Sequence, residues 1–299
     1  MSMHDLFGEI CSLSSAVLWA IAVILFKKSG ERIHPVALNL FKTVMAFGLY
    51  IPTMLALGEK IFLPVPGKEY ALFIVSGMIG IGLADVLFFL SLNKLGAGLN
   101  AVIGCLYSPT IIALSVIFLG EKMAPVQYVG VALVVGAVLF VSTPKSRPAI
   151  SPEDFWTGAL FGVLSMIFVG IGIVMIKPKL DSTPVLWAIE TRLFGAILSM
   201  LFVLFIFPDR RKIIKSLLEG ARDIYTIAGS FVGNYLSLVV WLAGVKYTLA
   251  SISAALNQTS NLFVFVFAAI FLKEKITAGK AGSIILGIIG ALLVILGTR

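Results

Sequence analysis

Four ionisable side chains, Lys42, Asp85, Glu190 and Arg192, lie deep inside long apolar runs of a 299-residue chain. In a bilayer each costs roughly 2.5–3.5 kcal/mol at a helix centre. Groups that expensive either lock helices together as ion pairs or serve a water-filled cavity that binds cargo or a proton. Two of the four are basic and two acidic, so the set can neutralise itself. An arginine offers a planar fork to a carboxylate or phosphate, and a lysine offers a point charge. Lys42 and Arg192 together suit an anionic or zwitterionic small molecule, with Asp85 or Glu190 as counter-charge or proton carrier. Glu190 and Arg192 are two residues apart, so on a helix they diverge and do not pair with each other.

Uncharged polar residues recur at helical spacing around these charges. Asn257 and Asn261 are four apart and share a face, with Gln258 beside them. Asn234, Ser237 and Trp241 line a second face. Asn100, Gly104 and Ser108, with Tyr107 adjacent, line a third, and Ser12, Ser15 and Trp19 a fourth. Lipid cannot satisfy such groups, so these faces point inward. Hydrogen bonding between helices is reason enough for each serine. Two amides one turn apart exceed what packing requires. Trp19 and Trp241 sit in mid-run and suit a cavity wall, whereas Trp156 and Trp187, near run ends, read as interfacial anchors. The substrate-binding candidates are therefore Lys42, Arg192, Asn257, Asn261, Asn234, Trp19, Trp241, Tyr107 and Asn100.

The elements that must position them are membrane-spanning helices. The chain is 59% hydrophobic and 13% charged, where a soluble domain carries roughly 25% charged residues. Apolar runs long enough to span occur at 8–27, 35–57, 70–92, 97–119, 125–143, 155–176, 184–207, 223–245, 250–272 and 278–297. Lys27-Lys28-Ser29-Gly30, Pro64-Val65-Pro66-Gly67 and Thr143-Pro144-Lys145-Ser146-Arg147-Pro148 punctuate them. The stretch 210–221, behind Asp209-Arg210-Arg211-Lys212, reads as a short interfacial helix. Loops this short leave function to the membrane region, and the chain is expected in the cell membrane as a multi-pass protein. The first run carries no Lys or Arg ahead of it, so it is expected to stay as a span and not be cleaved as a signal peptide. The net charge of +8 fits loops facing a negative leaflet, and no basic cluster interleaved with aromatics suggests nucleic acid. His4 and His34 fall outside the apolar cores. Cys11 and Cys105 form neither a disulfide framework nor a zinc spacing. No metal or cofactor is expected, and an intramembrane enzyme would lack its nucleophile–base pair. A channel would need filter-like loops and oligomer symmetry that the sequence does not suggest.

The chain repeats itself. Ile117-Phe118-Leu119-Gly120-Glu121-Lys122 returns as Ile270-Phe271-Leu272-Lys273-Glu274-Lys275, 153 residues on. Ala97 maps to Ala250 at the same shift, and Lys42 maps to Arg192 at a shift of 150. Two halves with five crossings each are inverted relative to one another, an architecture that places a site at their interface. The expected fold is all-α, a polytopic membrane protein of ten transmembrane helices in two inverted five-helix repeats around a central cavity. Residues 1–145 form the first repeat and 150–299 the second.

Pro109, the apolar run to Phe118-Leu119-Gly120-Glu121-Lys122, Gly130 and Gly136, and then Phe271-Leu272-Lys273-Glu274-Lys275 with Gly287 and Gly290 resemble the drug/metabolite transporter superfamily in its ten-helix EamA-type branch. The resemblance implies a secondary transporter of small polar metabolites, amino-acid-like or organic-anion, working by alternating access, with proton-coupled export as one mode. It implies that the fifth and tenth helices lie peripherally. Spans 125–143 and 278–297 hold no Asp, Glu, Asn or Trp, and their glycines suit helix packing or a homodimer contact. It also implies cytoplasmic termini, while 14 Lys and Arg after odd-numbered spans against 7 elsewhere outside the spans favour the opposite orientation. Leu262 stands where the second half would match Pro109, so the fourth helix should kink and its partner run straighter. Small-molecule substrate and lipid bilayer are the expected partners.

Overall fold

A computed structural model describes residues 3–120, 124–141, 150–180, 182–206, 210–247, 250–275 and 277–296. Glu121 and Lys122 of the repeated motif and the segment between the halves, 142–149, lie outside the described residues, as do the side chains of Ser108 and Gln258. The described residues hold helices and no strand. These are α1 (Met3–Ser29), α2 (Pro35–Ala56), α3 (Gly67–Leu95), α4 (Ala97–Gly104), α5 (Tyr107–Leu119) and α6 (Pro125–Val141). The second half continues with α7 (Pro152–Leu180), α8 (Val185–Ile206), α9 (Arg210–Gly220), α10 (Ile224–Tyr247), α11 (Ala250–Phe271) and α12 (Ala278–Leu296). Among them, α1, α2, α3, the α4–α5 run, α7, α8 and α10 are long and apolar enough to cross a membrane, seven in all. The chain is a multi-pass membrane protein.

Local chemistry explains the ends. Pro35 occupies the first turn of α2, where a missing N–H costs nothing, and His34 Nδ1 accepts from the Val36 N–H at 3.3 Å. Ser151 caps α7, its Oγ accepting from the Asp154 N–H at 3.1 Å. Glu153 and Asp154 sit in the first turn of that helix and Lys177 and Lys179 in its last, each matching the helix dipole. Asp223 caps α10 through the Thr226 N–H at 2.7 Å. The α4–α5 run breaks at Cys105 and Leu106, because the Pro109 ring crowds the carbonyl four residues earlier. Its counterpart α11 is unbroken for 22 residues.

Two helices are not α-helical throughout. Met78–Leu83 within α3 and Ser230–Ser237 within α10 are wound as π-helix. Such segments leave carbonyls without a regular partner and cluster at functional sites. The first packs against α8 and the second against α1 and α2. The approach of α3 to α8 is close enough to exclude side chains. A Cβ on Gly77 would lie 1.9 Å from the Arg192 carbonyl oxygen, and one on Gly195 2.0 Å from that of Ile74.

The basic stretch 210–212 opens α9, which buries Ile213 and Ser216 and exposes Lys215 and Leu218, as an interfacial helix does. Trp187 is a correction. It is 1% exposed, packed edge-on against Tyr70 and Phe73, and anchors helices to each other, not the protein to the interface. Trp156 is exposed on α7.

Candidate functional site

A cavity of about 170 Å³ lies where α1, α3, α4, α5, α7, α8, α10 and α11 converge. Both π segments reach it, through Gly80 and Ile81 from α3 and Gly233, Asn234 and Ser237 from α10. Its wall also includes Trp19, Asp85, Asn100, Tyr107, Arg192, Trp241, Asn257 and Asn261. Nine of the eleven residues singled out by sequence thus meet in one place; Lys42 and Glu190 do not. Among the described residues, α6 and α12 contribute nothing to the wall and pack along each other outside it.

Lys42 lies behind the wall. Its side chain has no exposure, and its Nζ donates to Asp85 Oδ2 at 2.6 Å and to Asn234 Oδ1 at 3.1 Å. Asn234 returns a bond from Nδ2 to the Lys42 carbonyl at 3.2 Å. A desolvated ammonium with two such partners has no reason to leave them, so Lys42 does not present itself to cargo. Asp85 is its counter-charge and still borders the cavity, with 17% of its side chain exposed. Glu190 is 5% exposed, and neither carboxylate oxygen has a hydrogen-bond partner among the described residues. It diverges from Arg192 on α8, as their spacing of two residues implies.

Arg192 is the opposite of Lys42. It is 1% exposed, it lines the cavity, and its Nε and Nη1 make no hydrogen bond among the described residues. Its guanidinium carbon stands 5.9 Å from the centroid of the Trp241 ring. Buried donors without acceptors are costly unless an anion completes them.

The amides divide. Asn257 donates to Ser15 Oγ at 2.9 Å and Asn100 accepts from Ser91 Oγ at 2.7 Å. Asn261 contacts Cys105 Sγ at 3.8 Å. Ser12 meets Ser253 at 2.9 Å, which ties α1 to α11 as interhelical serines do. Trp19 stacks at a tilt 5.7 Å from Phe88, so aromatic surface closes the wall beside Asp85.

Sequence reasoning passed over a second set of residues on α2. Asn39 Nδ2 donates to the Gly82 carbonyl at 2.8 Å and to that of Ile81 at 3.3 Å, in the first π segment. Tyr50 donates its hydroxyl to the Tyr235 carbonyl at 2.5 Å, in the second. The single helix α2 therefore satisfies freed carbonyls on both cavity-lining segments, with Lys42 between. The signal was present: Asn39, Thr43, Ala46 and Tyr50 follow a 4-3-4 spacing that marks one helix face.

The EamA-like transporter family matches residues 6–143 and 156–296. The chain belongs to that family. It is 21% identical over 287 residues to an uncharacterized transporter of Archaeoglobus fulgidus, covering 96% of this chain and 97% of the other. It is 26% identical over 190 residues to the uncharacterized inner membrane transporter YhbE of Escherichia coli K12, covering 62% of this chain and 59% of that one. A solved crystal structure of a protein shares the fold with a TM-score of 0.70 at 16% identity, over 98% of this chain and 97% of that one.

Proposed function

We propose that the chain is a secondary carrier of small organic anions and zwitterions, amino acids among them, whose acidic group binds Arg192. The observation that carries this reading is the buried guanidinium on the cavity wall, whose Nε and Nη1 have no hydrogen-bond partner among the described residues. The surrounding tryptophans, tyrosine and amides would hold the remainder of such a molecule, and Asp85, 17% exposed on the same wall, would share its charge between Lys42 and an ammonium group. Export is the direction we infer. The coupling ion in this reading is a proton carried at Glu190, whose two buried oxygens have no hydrogen-bond donor among the described residues; Asp85 is already ion-paired with Lys42.

The carrier works by alternating access of ten crossings arranged as two inverted repeats, 1–145 and 150–299. The matches at 6–143 and 156–296 and the corresponding π segments in α3 and α10 support this arrangement. It is read as a monomeric carrier unit, with α6 and α12 free to form a homodimer contact.

The test is transport into proteoliposomes, after a thermal-shift screen of amino acids, nucleotides, sugars and organic acids. Arg192→Ala should lower uptake of a stabilising acid by roughly 10–100-fold, with Arg192→Lys in between. A ligand that carries no acidic group, or full uptake by Arg192→Ala, defeats the assignment. Glu190→Gln should still exchange substrate and lose its dependence on a proton gradient.

A further inference from the structure

The repeated motif has a job at the end of α11 that the cavity does not explain. Lys273 is the only residue other than glycine with positive φ among the described residues, at 55°, and Gly120, its counterpart in the first repeat, has φ 70°. The fourth position of the motif is thus a left-handed turn that ends the helix. The turn aims the next residue, Glu274, at another helix. Glu274 Oε1 accepts from the Ala97 N–H at 2.7 Å, and Oε2 from the Gly98 N–H at 3.1 Å. Those are free donors at the N-terminus of α4, where the helix dipole favours a carboxylate. A Cβ at Gly96 or Gly98 would come within 2.9 Å of a Glu274 oxygen, so the sequence Gly-Ala-Gly leaves just the room the carboxylate needs. Lys280, almost fully buried, adds its Nζ 3.8 Å from Oε2.

The two helices joined this way are both cavity walls. Asn100, Ala101 and Gly104 come from α4, and Asn257, Asn261 and Val264 from α11. We propose that Glu274 is a positioning residue, a latch that holds α4 against α11 at one mouth of the cavity and must release its two N–H groups for that mouth to open. The inference rests on the alternating-access reading above. Loss of the carboxylate biases the carrier toward the state open at the α4 N-terminal side, a bias that a role in stability alone would not produce.

The test follows a cysteine in the cavity. Ala101→Cys is placed in a chain with Cys11→Ser and Cys105→Ala, and its labelling by a membrane-impermeant maleimide is measured in right-side-out and inside-out vesicles. In the parent the residue should label from both sides, more slowly from the α4 N-terminal side. Glu274→Ala should raise the rate from that side about tenfold and leave the other side unchanged or slower. Glu274→Gln, which keeps an acceptor and loses the charge, should give about threefold; it decides the matter where the alanine variant does not fold. Labelling of the parent from one side alone under every condition overturns alternating access and the latch with it. Labelling from both sides, with a ratio unmoved in the glutamine variant, overturns the latch and leaves alternating access standing.

Discussion

Lys42 and Arg192 stand at matching places in the repeat and have opposite surroundings. The first is locked to Asp85 and Asn234, and the second faces the cavity with Nε and Nη1 unbonded among the described residues. Removing one member of a buried pair strands the other charge, at a cost of about 3–5 kcal/mol. Lys42→Met should therefore lower the melting temperature in detergent sharply. Lys42→Met with Asp85→Leu should recover most of the loss, since neither charge is then left alone; a double variant no better than the single one would show that Lys42 acts in another way. The left-handed Lys273 gives a second outcome. An L-residue there costs roughly 1–2 kcal/mol that glycine avoids. Lys273→Gly should raise stability by about 1 kcal/mol in equilibrium denaturation, less whatever unfolded-state entropy glycine adds.

At the scale of elements, α3 and α8 are joined through glycines and α2 is joined through side chains. Gly77→Ala would drive a methyl group into the Arg192 carbonyl, and neither backbone has room to yield. The expected outcome is a loss of at least 1–3 kcal/mol with transport falling in step, as Arg192 is moved with its helix. Asn39→Ala leaves the Ile81 and Gly82 carbonyls unsatisfied and should cost about 1–3 kcal/mol, read by the same melting assay. Much of this architecture was legible in the sequence. The starts of α2, α4, α6, α11 and α12 at 35, 97, 125, 250 and 278 follow from proline, glycine and polar punctuation, and Pro109 announces the break after α4. Helix rotation about its axis is what a lone apolar run does not carry. That is why Trp187 reads as an anchor when it is buried, and Lys42 as a cargo ligand when it is structural. The π segments leave no mark either, because the residues that allow them, Gly80 and Gly82 or Gly233, also serve ordinary close packing. Glu274 could be picked out as part of a repeat, yet its target lies 177 residues away and only the fold brings it near.

For the molecule as a whole, the ten crossings we propose would put both ends of the chain on one side of the membrane and α9 on the other. Topology reporters fused at residue 3 and residue 296 should agree, and a cysteine at exposed Lys215 should label from the opposite side; disagreement between the two ends would mean an odd count and break the inverted relation. The unequal treatment of the two cations also has an electrical side. Lys42 and Asp85 cancel, so in the Glu190→Gln variant of the proposed carrier the empty state holds one net positive charge at Arg192 within the membrane. A bound monoanion removes it. The membrane potential, worth about 2.3 kcal/mol per elementary charge per 100 mV across its full depth, then acts on the return of the empty carrier and barely on the loaded step. Exchange of one anion for another by that variant should be indifferent to voltage, whereas its net efflux should speed up or slow down with the sign of the potential.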